Sequence, residues 1–358
     1  MVEVMKKHSF LTCFAALILV TANFSTVANA AIITLDESPT TTFQGDLRIG
    51  ASDNKTGILF FSGRGASFTG NFVKQVGRSL NDSGNGYTTL SLENPVPAAG
   101  TAFLDYVNDE TLIGQQVFAR LDAAISEMAN RGIENIVLSG LSLGSRFMTT
   151  ATAAWEQGLF IPTAKVNLAG LIGAGMLPQT GGLPTTPANP TSIADFNIFD
   201  TENNLKLIST TPVLDIYGNN DLTSANFAAA RRAAYGGAST QYIQQNIQCP
   251  PKGTSNPYYA FLGGNKYRLY YGTSGNKENR CHQLRDGYQI IGQNPDGSPI
   301  FRKTFAVRGS LNAPLESTIV SFLDTYVIPQ TISVYESESL LLLLAGLPLL
   351  LVHRSKNT

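Results

Sequence analysis

Along the middle of the chain, unbroken apolar runs alternate with segments whose apolar residues recur every three or four positions. The run TGILFFSG (56–63) is apolar at successive positions and ends in glycine, which predicts a strand buried on both faces. After RGAS comes FTGNFVKQVGRSLND, where Phe68, Phe72, Val73, Val76 and Leu80 fall at helical spacing. GYTTLSL (86–92) reads as the next strand. DETLIGQQVFARLDAAISEMANRG then places Ile113, Val117, Leu121, Ala124, Ile125 and Met128 on one helical face, and Gly132 closes that helix.

The alternation continues. IENIVLSG is a fully apolar strand that runs straight into the helical LSLGSRFMTTATAAWEQG. AKVNLAGLIGAG and TPVLDIYG predict two further strands, SANFAAARRAAYGG a helix, KYRLYYG a strand and LESTIVSFLDTYV a closing helix. Strands and helices in this order predict an α/β fold with a doubly wound, mostly parallel sheet flanked by helices. Two long polar stretches, about 178–211 and 241–265, read as insertions, and the first is the candidate lid. A further hairpin is expected around Asn294 to Ser298.

The two ends fall outside this pattern. Lys6 and Lys7 precede an apolar run of 11 residues, Phe10 to Val20, and Ala28-Asn29-Ala30 follows as a small-residue cleavage site. That order is the anatomy of a secretory signal peptide over residues 1–30, and it implies export to the periplasm, cell surface or medium. The domain is then expected over 31–329, with a tail over 330–358. In the tail, SVYESES leads into 13 apolar residues, Leu340 to Val352, and then HRSKNT. Such a run is shorter than the ~20 residues a spanning helix needs. The layout resembles PEP-CTERM sorting tails, with YESES standing where those tails carry Pro-Glu-Pro. It implies contact with a membrane or with cell-surface sorting machinery. A glycolipid-anchor signal or a hydrophobic C-terminal helix are the other readings.

Composition narrows the function classes. Charged residues make up 14% of the chain and the net charge is −1, so no basic surface for nucleic acid is expected. Cys13 lies in the signal segment, which leaves Cys249 and Cys281 as a disulfide pair in an oxidising compartment. No Cys/His spacing suits a metal, and no cofactor is implied.

Candidate chemistry centres on Gly140-Leu141-Ser142-Leu143-Gly144, between an apolar strand and a helix. A tight strand-to-helix turn needs small neighbours and would hold the Ser142 hydroxyl at the C-terminal edge of the sheet. The helix beginning at Leu143 aims backbone N–H groups at that point, which favours a developing oxyanion.

On these residues the chain resembles the α/β-hydrolase superfamily. In that family a nucleophile, an acid and a base follow in this order, each on the loop after a strand. The resemblance implies Ser142 as nucleophile, Asp221 after PVLDIYGNN as acid, and His282 after KYRLYYG as base. Asp215, inside its strand, is the rival acid. His8 and His353 lie in the two end segments, so His282 is the one imidazole of the expected mature domain. Many members carry His-Gly in the loop after the early strand; this chain has Ser62-Gly63-Arg64-Gly65-Ala66. The second oxyanion donor is therefore expected from Arg64 or Gly65, beside Leu143. The implied activity is hydrolysis of a small-molecule acyl ester, with peptidase, thioesterase and amidase left open. A binding or matrix protein on the same scaffold, without turnover, is the alternative from another class.

Overall fold

A computed structural model describes residues 30–328, apart from 52, 70, 83–85, 99–102, 179–182, 219–220, 248–255, 264–265, 273–287, 294–298 and 304–312. Between 256 and 303 the description is of the backbone strands. Residues 1–29 and 329–358, and with them most of the expected signal segment and the expected tail, lie outside the described residues, as do Cys249, Cys281 and His282.

Eight strands form the main sheet: β1 (Ala30–Ser38), β2 (Thr41–Arg48), β3 (Thr56–Phe61), β4 (Thr88–Leu92), β5 (Asn135–Leu141), β6 (Asn167–Ala174), β7 (Val213–Gly218) and β8 (Tyr242–Ile247). Their spatial order is β1-β2-β4-β3-β5-β6-β7-β8. β2 runs antiparallel to β1 and β4, while β4, β3, β5, β6, β7 and β8 are mutually parallel. This order and connectivity are those of the α/β-hydrolase fold.

The strand pleat divides the core between two faces. Leu59 and Phe61 of β3 and Ile136 and Leu138 of β5 join one cluster; Ile58, Phe60 and Val137 join the other. Alternate residues of one strand point to opposite sides, so an unbroken apolar run feeds both clusters. On the first face lie α3 (Glu110–Asn130) and α4 (Leu143–Glu156), contributing Val117, Leu121, Ile125, Phe147 and Ala151. On the second lie α1 (Asn71–Asp82) and α8 (Ala313–Phe322), which continues in a wider turn over Leu323–Val327. Val73, Val76, Leu80, Leu315, Ile319 and Phe322 are buried there.

Three features depart from the sequence reading. The hairpin β1–β2 precedes the first strand expected. KYRLYYG is not a strand of the main sheet: it is β10 (Lys266–Gly272), in a separate antiparallel sheet with β9 (Asn256–Gly263), β11 (Tyr288–Gln293) and β12 (Pro299–Lys303). The last main-sheet strand is instead β8, YIQQNI, whose middle residues are only partly covered because it is an edge strand. The stretch expected as an insertion at 241–265 thus begins with a structural strand. The hairpin expected around 294–298 is present as the β11–β12 pair.

The segment read as a lid is largely a packed crossover between β6 and β7. Phe196, Ile198, Phe199, Leu205 and Ile208 are buried in the first-face cluster, and α5 (Thr201–Lys206) sits against α4. Asn204 donates to Thr150 Oγ1 at 2.9 Å, and Glu156 accepts the backbone N–H groups of Ser209, Thr210 and Thr211 at 2.8, 3.0 and 2.6 Å. Such a segment carries core side chains and cannot swing away without opening the first-face core.

Candidate functional site

β5 ends at Leu141 and α4 begins at Leu143, so a single residue, Ser142, makes the whole strand-to-helix turn. It does so at φ 56° and ψ −114°, and among the described residues it is the one non-glycine with positive φ. A side chain in this region costs on the order of 1–3 kcal/mol and persists only where the surroundings dictate it. They do. The Ser142 N–H donates to Ala174 O at 2.8 Å, and Ser142 O accepts from the Ser145 N–H at 3.0 Å and the Ser145 hydroxyl at 2.6 Å.

The two glycines of the motif are required by close packing. A Cβ on Gly140 would lie 2.2 Å from the Gly144 carbonyl, and one on Gly144 would lie 2.1 Å from Phe61 O. Strand, turn and helix are therefore in backbone contact with β3. The Ser142 hydroxyl makes no capping bond to the helix it begins. The N–H groups of Leu143 and Gly144 belong to the first turn of α4, where an α-helix supplies no acceptor of its own.

The loop after β3 lies beside this turn. The position of a Cβ on Gly63 is 3.5 Å from Ser142 Cβ and 3.5 Å from Leu141 O. Residues 63–66 form a tight turn closed by the Ala66 N–H on Gly63 O at 3.0 Å, with Gly65 at φ 66°. Arg64 and Gly65, the expected oxyanion donors, are thus the two central residues of that turn, and both are exposed. Its outer wall is Asn94, two residues beyond β4. Asn94 is 6% exposed, and its Nδ2 donates to Ser62 O and Gly63 O, both at 3.0 Å.

The two rival carboxylates occupy different environments. Asp215, inside β7, is fully buried and saturated: Arg231 Nε and Nη2 bind its two oxygens at 3.0 and 3.1 Å, Tyr242 OH donates at 3.1 Å and Gln244 Nε2 at 2.9 Å. Burial pulls Arg231 down, but the Asp215 charge outweighs it and holds the guanidinium above its ordinary value. Burial, and then the Asp215 charge, push the Tyr242 phenol well above its own. Both oxygens of Asp215 are thus engaged by buried partners.

Asp221 stands beyond the C-terminal end of β7, 1% exposed. Its N–H donates to Gly218 O at 3.0 Å, its carbonyl accepts from Ser224 and Ala225, and its Oδ2 accepts the Ser224 hydroxyl. Arg231 reaches this turn as well, donating to Ser224 O at 2.8 Å and to Met176 O at 3.0 Å. One buried guanidinium therefore ties the loop after β6 and the loop after β7 to Asp215. Arg231 and Asn94 both escaped the sequence reading, since one of two arginines in AAARRAA and a lone Asn in ENPVP carry no motif.

Ser142 and Asp221 follow the C-terminal ends of β5 and β7, two strands apart in the sheet. At the usual strand spacing the two strands are about 10 Å apart, and Asp221 stands three residues past the end of β7. His282 falls in the chain between β8 and α8. Among the described residues no group of three or more His, Cys, Asp or Glu could hold a metal ion.

No family model matches the sequence, and no curated protein matches it either. Among solved structures the chain is similar to a dienelactone hydrolase from Anabaena variabilis, at 15% identity over 62% of this chain and 86% of that one, with a TM-score of 0.42. It is also similar to Est1E from Butyrivibrio proteoclasticus, at 13% identity over 61% and 88% of the two chains and a TM-score of 0.42. A Pyrococcus furiosus esterase, Pf2001, gives 10% identity over 62% and 83% and a TM-score of 0.41. Likenesses of this size carry neither a family nor an activity, and the reading of the site rests on its own geometry.

Proposed function

We propose that the chain is an exported serine hydrolase that cleaves acyl esters through Ser142, His282 and Asp221. His282 takes the proton from Ser142 as the hydroxyl attacks the acyl carbon, and returns it to the leaving alcohol. Asp221 holds the imidazole's tautomer and stabilises the imidazolium. The N–H of Leu143 and one from the Arg64–Gly65 turn receive the negative charge on the tetrahedral oxygen. Water repeats the cycle on the acyl-enzyme.

The observation that carries this reading is the strained turn at Ser142. A serine with positive φ, wedged between two glycines that admit no Cβ, sits at the end of a parallel strand beside a glycine turn. A binding scaffold has no use for that strain.

The test is hydrolysis of a short-chain nitrophenyl ester by the wild type, Ser142→Ala and His282→Ala. Each variant should lose about three orders of magnitude or more in kcat. Wild-type activity should rise with pH in a single step as one imidazole loses its proton. Retention by His282→Ala of more than about a tenth of wild-type kcat, far above what a missing base leaves, would remove histidine from the mechanism.

A further inference from the structure

We infer that Asn94 is a positioning residue for the oxyanion site: it turns the peptide groups after β3 so that their N–H bonds face Ser142. The inference deepens the serine-hydrolase reading and rests on it. The sheet order around the site is β4-β3-β5. The loop that leaves β3 is therefore flanked on one side by the chain leaving β4, which carries Asn94, and on the other by the chain leaving β5, which carries Ser142. Asn94 Nδ2 binds the carbonyls of Ser62 and Gly63, both at 3.0 Å. In a trans peptide the C=O and the next N–H point in opposite directions. Drawing these two carbonyls toward β4 sends the N–H groups of Gly63 and Arg64 toward β5, the side on which Ser142 Cβ lies 3.5 Å from the Cβ position of Gly63.

The amide orientation is fixed by the same contacts. Turned over, Asn94 would press its oxygen against two carbonyl oxygens in a buried place. In the observed orientation Oδ1 is buried and has no hydrogen-bond partner among the described residues. The donor end of the side chain is therefore the one that the loop uses. The Ser62 hydroxyl, bonded to Ser67 O at 2.9 Å, and the Ala66 N–H on Gly63 O at 3.0 Å hold the rest of the loop, so Asn94 adds the peptide orientation.

Asn94→Asp keeps the shape, removes the donor and sets a carboxylate oxygen against both carbonyls. Asn94→Ala removes the whole amide, donor and buried oxygen together, without adding a charge. Both are assayed on a short-chain nitrophenyl ester beside the wild type and Ser142→Ala, and titrated with a trifluoromethyl ketone, whose serine adduct carries an oxyanion. The expected result is a fall in kcat of about 100-fold, the usual loss for one oxyanion donor, with KM changed less than about threefold. Affinity for the ketone should fall in step with kcat/KM. A role in folding alone would lower melting temperature without weakening the ketone relative to the ester. If Asn94→Asp does not fold, Asn94→Ala carries the reading. Ketone affinity and kcat within about threefold of wild type in a folded variant overturn the inference while Ser142-dependent hydrolysis stands. A wild type without Ser142-dependent hydrolysis overturns the reading beneath it, and this inference with it.

Discussion

Ser142 is the residue at which local preference and tertiary structure disagree most. Its φ of 56° is held by Ala174 O and by the Ser145 hydroxyl, so the strain is stored rather than relaxed. Replacing serine by alanine keeps the Cβ and the strain; replacing it by glycine releases the strain at the cost of a looser unfolded chain. Ser142→Gly should therefore melt above Ser142→Ala by ~2 °C, equivalent to about 1 kcal/mol, with neither variant hydrolysing ester. The reverse order of melting would mean that the turn is unstrained. The two carboxylates make a second contrast. Asp215→Asn takes the charge from a buried guanidinium and should destabilise by about 3 kcal/mol or more. Asp221→Asn should lose most of kcat; because the side chain is buried and accepts the Ser224 hydroxyl, it should lose some melting temperature as well, and kcat of the folded variant is the deciding readout. If Asp221→Asn keeps activity, the acid lies elsewhere. The turn at Ser142 was legible because Gly-x-Ser-x-Gly stands between an apolar strand and a helix, and Asp221 because it follows the apolar run of β7. Arg231 and Asn94 were not, since their roles come from strands that are neighbours in space and distant in sequence.

At the scale of elements, apolar runs were legible wherever a strand is buried on both faces, as in β3, β5 and β7. They fail at the edges. β8 reads YIQQNI because one side of it faces outward, and β1–β2 carries the mixed TTTFQGDLR pattern of an antiparallel edge pair. The crossover between β6 and β7 was read as a lid for a similar reason: its polar residues are buried against one another rather than solvated. Asp200 accepts the Thr186 N–H at 2.8 Å, and Thr186 Oγ1 bonds Asn204 Oδ1 at 2.8 Å. The crossover is fastened at its far end by Glu156. Burial pushes that carboxyl up, but the Thr211 hydroxyl and the N–H groups of Ser209, Thr210 and Thr211 outweigh burial and hold it below its ordinary value. With the folded pKa depressed, its stabilising contribution is present above the unfolded value near ~4.3 and is lost as pH falls through the folded one. The wild type should therefore lose melting temperature more steeply than Glu156→Gln as pH drops below about 4.3, the ordinary carboxyl range. Parallel losses would show that the clamp carries no charge-dependent stability.

For the whole molecule, the α/β class and the mostly parallel sheet were legible, because apolar strands alternating with amphipathic helices leave few ways to wind; the strand order and the last strand, β8, were not. The second sheet, β9 to β12, was read only as one strand and one hairpin, since its aromatic, antiparallel strands pair with one another and not with the main sheet. Within the described residues the last element is α8 with its wider turn. Leu323 and Val327 in that turn are fully buried. A chain ending near Pro329 should keep this packing, fold in solution and retain ester hydrolysis, whereas one ending before Ala313 should not fold. Aggregation of the longer truncation would make the tail part of the core. The central claim, that Ser142 is an activated nucleophile, is tested most directly by reacting the full chain with a fluorophosphonate and locating the adduct by peptide mass spectrometry. The account predicts one phosphonate on Ser142, absent from Ser142→Ala and formed far more slowly by His282→Ala. No adduct, or an adduct on another residue with Ser142 unmodified, would contradict it.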